Sequence, residues 1–404
     1  MKSSRILRTA PVAVLCLFTW AFLPGCANAP AQSPPPPALQ PPPDPALQAF
    51  IDGYDRFFAA GMQASATPGA AVVIVKDGKV LFSRGYGVKV AGSRDSVDVN
   101  TVFRIGSLSK GFAGILTGML VQDSVLTWGE KVRQRFPQFD LRDHQQAERI
   151  RLWHLLSHTT GLPYHAYTNL IERGFDIRRI VTDYFPKAPV SGREGEFFSY
   201  QNAAFSVIEE VMRSATGKTY QQLLAEKIFR PAGMASASCD YETMQRQSNK
   251  AQPHLQSGYG WRPDPISPNY YNSCAAGGIN ASIADMGQWL LLLLGRRPDL
   301  VADSTLEHVF RPVVRTDKER RIFPGWLDRD AASYALGWRV LRDGADTIVY
   351  HGGYVNGYKS EIAFNRPDGV GICVLFNAHS ELSRECIPAF FAQWKEYKKP
   401  VAAR

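Results

Sequence analysis

Ser107 and Lys110 stand three residues apart in Phe103-Arg104-Ile105-Gly106-Ser107-Leu108-Ser109-Lys110, directly before the apolar run 111–121. That run sets Phe112, Ile115, Leu116, Met119 and Leu120 at helical spacing, which predicts a helix with Ser107 at or near its start. Residues three apart share a helix face, so the Ser107 hydroxyl and the Lys110 amine can meet. A serine becomes a nucleophile when a neighbouring base takes its proton, and a desolvated lysine is such a base. The bland alternative is a helix-capping serine beside a solvated lysine.

Two further segments carry chemistry-capable groups. Phe198-Ser199-Tyr200-Gln201-Asn202 precedes an apolar-periodic stretch and offers a phenol and an amide two residues apart, pointing the same way. Tyr350-His351-Gly352-Gly353-Tyr354 follows a strand-like run, and its two glycines remove side chains where another backbone could approach. Alone, the first pair reads as ordinary loop residues and the second as a turn with a surface histidine.

The elements that would position these groups follow from periodicity. A helical stretch over Leu47 to Met62 leads into two β-rich runs, 70–75 and 80–83, joined by an Asp77-Gly78 turn. The other end repeats the style, with strands expected over Tyr334 to Val340, Thr347 to Tyr350, Lys359 to Phe364 and Val370 to Phe376, then a helix from Leu382 to Lys395. The middle is mostly helical, with helices expected over Phe112 to Gln122, Leu152 to Ser157, Ala203 to Thr216 (Gly217 as its C-cap) and Ser282 to Leu294. Strands at both termini predict an α+β fold, an α/β sandwich. One antiparallel sheet forms from the two chain ends, flanked by helices, with a mostly helical insertion.

A chain of 404 residues with 45% hydrophobic and 21% charged residues is an ordinary globular protein with room for a large core. Residues 1–26 differ. Lys2, Arg5 and Arg8 precede a short apolar stretch, Ala10 to Phe22, the pattern of an export signal. It ends in Leu23-Pro24-Gly25-Cys26, which resembles a lipoprotein cleavage box with Cys26 lipidated; ordinary cleavage near Ala27-Asn28-Ala29 is the rival. Nine prolines between Pro30 and Pro45 make residues 27–45 a semi-rigid spacer ahead of a domain over 46–400. An exported, periplasmic protein with a possible lipid anchor is therefore expected. The formal charge of +9 is spread out apart from Lys395, Lys398, Lys399 and Arg404, which argues against nucleic acid as a partner. Cys239, Cys274, Cys373 and Cys386 remain in the mature chain and allow three pairings.

In order and spacing, Ser107-x-x-Lys110, Tyr200-Gln201-Asn202 and His351-Gly352-Gly353 resemble the serine β-lactamase and penicillin-binding protein superfamily, in its class C-like branch with the related DD-peptidases and esterases. Trp153 to Pro163 (Trp-His-Leu-Leu-Ser-His-Thr-Thr-Gly-Leu-Pro) and Tyr334-Ala335-Leu336-Gly337-Trp338 are similar to two further stretches of that branch, so the likeness spans roughly residues 46 to 395. The resemblance implies that Ser107 carries the acyl group and that Lys110 and Tyr200 share the base role. Asn202 would hold the substrate's amide carbonyl, the Ser107 and Tyr354 N–H groups would form the oxyanion hole, and the His351–Gly353 edge would bind substrate as an added strand. His351 stands where β-lactamases carry a lysine that holds the drug's carboxylate. A partly protonated histidine there implies weaker carboxylate affinity that grows as pH falls.

His154 and His158, four apart, have the spacing of a zinc pair; the resemblance is to a metal-free family, so both are read as structural, with no cofactor and no metal expected. The other histidines, His144, His165, His254, His308 and His379, are expected at the surface. Expected substrates are a β-lactam, a D-amino-acid peptide of the cell wall, or a small ester. The non-enzymatic alternative is a slowly deacylating penicillin sensor. Oligomeric state is not legible.

Overall fold

The strand β1 (Gly69–Lys76) and the strand over Val370–Phe376 are buried almost throughout, continuous apolar runs rather than alternating ones. That pattern requires cover on both sheet faces, and the computed structural model, which describes residues 44–258, 260–316 and 331–399, shows it. After β1 come β2 (Lys79–Gly87), the short β3 (Val102–Arg104), a hairpin of β4 (His254–Ser257) and β5 (Gly260–Pro263), and β6 (Asn280–Ser282) paired with β3. Then follow β7 (Val314–Arg315), β8 (Ala331–Tyr334), β9 (Arg339–Asp343), β10 (Asp346–Val355), β11 (Tyr358–Asn365) and β12 (Val370–Phe376).

Among the described residues the main sheet has eight strands in the order β2-β1-β12-β11-β10-β9-β8-β7, with antiparallel neighbours. β1 pairs with β12 from Ala70↔Phe376 to Lys76↔Val370, so the two chain ends do build one sheet. On one face, Ala70, Val72 and Ile74 pack under α1 (Pro45–Ala64) and the C-terminal helix Leu382–Lys398, where Tyr54 donates to Cys386 O at 2.9 Å. On the other, Ala71, Val73 and Val75 join the larger core around α2 (Ser109–Gln122) and the helix Ile283–Leu293, where the Phe112 and Trp289 rings stack at 3.9 Å.

Pro45 is the first residue of α1, which the Asp44 carboxylate caps by accepting from Ala46 N. The expected export signal over residues 1–26, with Cys26, and residues 27–43 of the expected spacer lie outside the described residues. Cys239 and Cys274 form a disulfide with Cα atoms 6.3 Å apart, and Cys373 and Cys386 are buried thiols.

One expected strand is not continuous. Tyr334 to Val340 breaks after Tyr334 into a turn, and β9 starts at Arg339. Gly337 adopts φ +84°, and a Cβ there would lie 2.3 Å from Lys110 O. The turn is pressed onto α2: added Cβ atoms at Gly111 and Gly114 would come within 2.3 Å of Trp338 and 2.1 Å of Leu336 O. The glycines that weaken α2 as a helix are what let this turn sit against it.

Candidate active site

Ser107 lies in the 3-10 turn Gly106–Leu108, which runs straight into α2. Its hydroxyl does not cap the helix, since neither the turn nor α2 has a side-chain cap bond. It meets two other groups instead. Lys110 Nζ stands 3.3 Å from Ser107 Oγ, and the Tyr200 hydroxyl donates to the same oxygen at 2.9 Å. Lys110 is fully buried, so the solvated-lysine alternative does not hold. Its amine also donates to Asn202 Oδ1 at 2.8 Å and to Ala276 O at 2.7 Å.

The electrostatics of the pair run in opposite directions. Burial, with a push from the Arg339 guanidinium, holds the Lys110 amine well below the usual lysine range. Burial raises the Tyr200 phenol, only partly offset by its bond to Ser107 and by Arg339. A neutral amine has two N–H bonds and one lone pair. Asn202 Oδ1 and Ala276 O are pure acceptors, so in the neutral form, with both N–H bonds given to them, the lone pair would be left for the longer contact to Ser107 Oγ.

The turn is locked against β10 and β11. Ser360 Oγ donates to Ile105 O at 2.7 Å, and Ser109 Oγ donates to Gly106 O at 2.7 Å while accepting from Ile279 N at 3.1 Å. Gly106 takes φ +52°, and a Cβ on it would lie 2.9 Å from Tyr354 N; a Cβ on Gly353 would lie 2.2 Å from Ile105 O. Of the two glycines where a close backbone approach was expected, Gly353 shows it, with the Tyr354 N–H beside the serine turn, while a Cβ on Gly352 would meet the side chains of Tyr350 and Glu361 instead. β9 pairs with β10 only as far as Tyr350, so among the described residues the same edge beyond it, at residues 351–355, has no strand partner. Ser107, Tyr200, Asn202, Gly352, Gly353 and Tyr354 line one cleft of about 410 Å³.

His351 departs from expectation. Its side chain is 1% exposed and turned from the cleft, with Nε2 3.0 Å from the Tyr334 hydroxyl and Nδ1 2.9 Å from Gly352 O. Burial and the nearby Arg339 and Lys110 charges hold it well below the ordinary imidazole range. It stays neutral and so cannot serve as a carboxylate-holding cation. His165 is exposed, as expected, but lines the cleft: its ring lies 5.5 Å from that of Tyr200, and its backbone N–H donates to Tyr200 O at 2.8 Å. His254 is buried, accepting from Ala91 N at 2.9 Å, with its other ring nitrogen 3.1 Å from Asn377 O.

His154 and His158 serve different partners. His154 Nδ1 accepts from Arg151 N at 2.9 Å and burial lowers its pKa to about 4, whereas His158 accepts from Gln201 N at 3.1 Å and packs 4.3 Å from the Tyr200 ring. His158 thus sets the loop that delivers Tyr200 and Asn202. The sequence reading missed Ala276, Tyr270, Glu172 and Lys359, all in the cleft. The one local signal was the small-residue run Ala275-Ala276-Gly277-Gly278 ahead of the capped helix at Ser282.

A large antiparallel sheet from both chain ends, with helices on both faces, is the fold of the serine β-lactamases and penicillin-binding proteins. The chain belongs to the beta-lactamase family, whose model matches residues 54–390. It is 26% identical to Protein flp of Staphylococcus aureus (strain N315) over 356 residues, 85% of this chain and 66% of that protein. It is 28% identical to Unguisins hydrolase ungD' of Aspergillus campestris over 334 residues, 78% of this chain and 59% of that protein. The chain thus spans somewhat under two thirds of the length of these curated relatives. Among solved structures, the octameric penicillin-binding protein homologue from Pyrococcus abyssi shares the fold with a TM-score of 0.75 at 22% identity, over 86% of this chain and 78% of that one.

Proposed function

We propose that this protein is a serine hydrolase that cleaves an amide, lactam or ester through an acyl-enzyme on Ser107, with a β-lactam ring amide as the first substrate to test. The observation that carries this reading is the convergence of Lys110 Nζ and the Tyr200 hydroxyl on one serine oxygen, beside a strand edge with no strand partner among the described residues.

Neutral Lys110 takes the Ser107 proton as Oγ attacks the carbonyl carbon. The displaced electron pair goes to the carbonyl oxygen, held by the Ser107 and Tyr354 N–H groups; one such donor is worth about 3 kcal/mol. Asn202 Nδ2 orients the substrate carbonyl. Collapse breaks the C–N or C–O bond, and the proton passes from Lys110 through Tyr200 to the leaving atom. Water then attacks the acyl ester, giving one proton back to the Ser107 oxygen and releasing a carboxylic acid.

The burial and neutrality of His351 support a second reading, hydrolysis of small esters or D-amino-acid peptides, because no permanent cation replaces the β-lactamase lysine there. A turnover panel separates the two: a chromogenic cephalosporin, a D-Ala-D-Ala peptide and p-nitrophenyl acetate. Repeated product release from any of them supports a hydrolase. Stoichiometric acylation without release makes the protein a penicillin-binding sensor, and no acylation removes the proposal. Export through residues 1–26 with a lipid on Cys26 belongs to the same proposal; palmitate labelling lost in Cys26→Ala supports it, and labelling that persists does not.

A further inference from the structure

The cleft contains a chain of hydrogen bonds that the acylation chemistry does not need. Asn202 Nδ2 donates to the Tyr270 hydroxyl at 3.3 Å, and that hydroxyl donates to Glu172 Oε1 at 3.3 Å. Through Asn202 the chain continues to Lys110 and Ser107. Tyr270 holds φ +71°, a conformation that costs a non-glycine residue of order 1 kcal/mol or more and persists where the surroundings fix it. Its ring lies against Gly277, where a Cβ would come within 3.1 Å of it. A strained tyrosine, a glycine that makes room for it and an acid at its tip form one arrangement.

Glu172 is the last residue of the helix Thr168–Glu172, exposed at the cleft mouth. Among the described residues no lysine or arginine pairs with it, and the Tyr270 hydroxyl is its one side-chain hydrogen-bond partner. The neighbouring Arg173 lies over the Phe175 ring instead. The cleft's own cation, Lys359, is paired with Glu361. An uncompensated carboxylate therefore faces the space above Asn202 and Ser107.

We propose that Glu172, positioned by Tyr270, is a specificity-determining residue that selects substrates carrying an ammonium group, so that the preferred acyl donors are aminoacyl compounds with a free amine. This rests on the Ser107 hydrolase reading and narrows it: the substrate's amine pairs with Glu172 while its carbonyl lies at Asn202 and the oxyanion donors.

The test uses p-nitrophenyl esters of glycine, β-alanine and 6-aminohexanoic acid, each beside its N-acetyl counterpart, with spontaneous hydrolysis subtracted. The readout is the ratio of kcat/KM for amine over acetylated ester, in which any general loss of activity cancels. For at least one spacing the full-length protein is expected to favour the amine about fivefold, the scale of one partly exposed ion pair. Glu172→Gln is expected to bring that ratio to about one, and 0.5 M salt to lower it in the unaltered protein. A ratio near one at every spacing in the unaltered protein, or a preference that survives both Glu172→Gln and salt, overturns the inference and leaves the hydrolase reading standing. Failure to hydrolyse any of the esters also overturns the inference, while the hydrolase reading stands or falls by the cephalosporin and D-Ala-D-Ala arms of the turnover panel.

Discussion

If Lys110 acts as a neutral base, its depressed pKa must appear in the rate. A lysine with an ordinary pKa of about 10.4 is neutral in roughly one molecule in 2,500 at pH 7, equivalent to about 4.6 kcal/mol of added barrier. Complete burial removes much of that penalty by disfavouring the ammonium, and the Arg339 charge adds to it. The base is active when deprotonated, so kcat/KM on a neutral ester is expected to rise with pH and level off well below pH 10. Arg339→Met takes away one positive charge, which raises the Lys110 pKa and moves the rising limb to higher pH. The shift is on the order of one unit, since a unit charge at an effective dielectric of ~20 contributes about 1 kcal/mol or more across a site. The assay is initial-rate hydrolysis of p-nitrophenyl acetate from pH 5 to 10 in both proteins. The position of the limb is read, so a change in amplitude does not matter. A limb near pH 10 in the unaltered protein, or one that stays put in Arg339→Met, would refute the reasoning.

Three other perturbations follow from the geometry. Tyr200→Phe removes only the hydroxyl that bonds Ser107 and is expected to lower kcat/KM by about 10²–10⁴-fold while the rising limb persists; wild-type rates would exclude the relay. Gly353→Ala forces a Cβ to 2.2 Å from Ile105 O and is expected to cost about 1–3 kcal/mol in thermal unfolding and roughly 10²-fold in turnover; unchanged values in both would remove the close approach as a constraint. Burial raises the Glu209 carboxyl to about 8, above its unfolded value near 4.3, so the fold binds that proton more tightly than the unfolded chain. Its contribution is complete below pH 4 and is lost as pH rises toward 8. Glu209→Gln is therefore expected to flatten the decline over this window and to gain about 1–3 kcal/mol at pH 8.5 in denaturant melts; equal slopes for the two proteins would contradict the assignment.

What the sequence made legible was local or strongly periodic. Ser107 and Lys110 are one helical turn apart, so their meeting needs no distant information. The β-rich runs at both ends are apolar enough to demand a sheet covered on two faces, and the Ser282–Asp285 capping box marks its helix by itself. What failed depended on remote contacts. The strand expected over Tyr334 to Val340 breaks because Gly337 abuts Lys110 O, a contact invisible in local propensity. His351 was read as facing substrate, but a strand's inward and outward faces are fixed by register, and this register turns the ring toward Tyr334. Tyr270 reaches Asn202 across a separation of 68 residues and Glu172 reaches Tyr270 across 98, with no motif to announce either.

The central claim is that Ser107 carries the acyl group, and intact-protein mass spectrometry after mixing with excess ester or penicillin and rapid quenching tests it most directly. The account predicts one added acyl mass on the peptide containing Ser107, and neither adduct nor turnover in Ser107→Ala. An adduct on another residue, or undiminished turnover in Ser107→Ala, would contradict it.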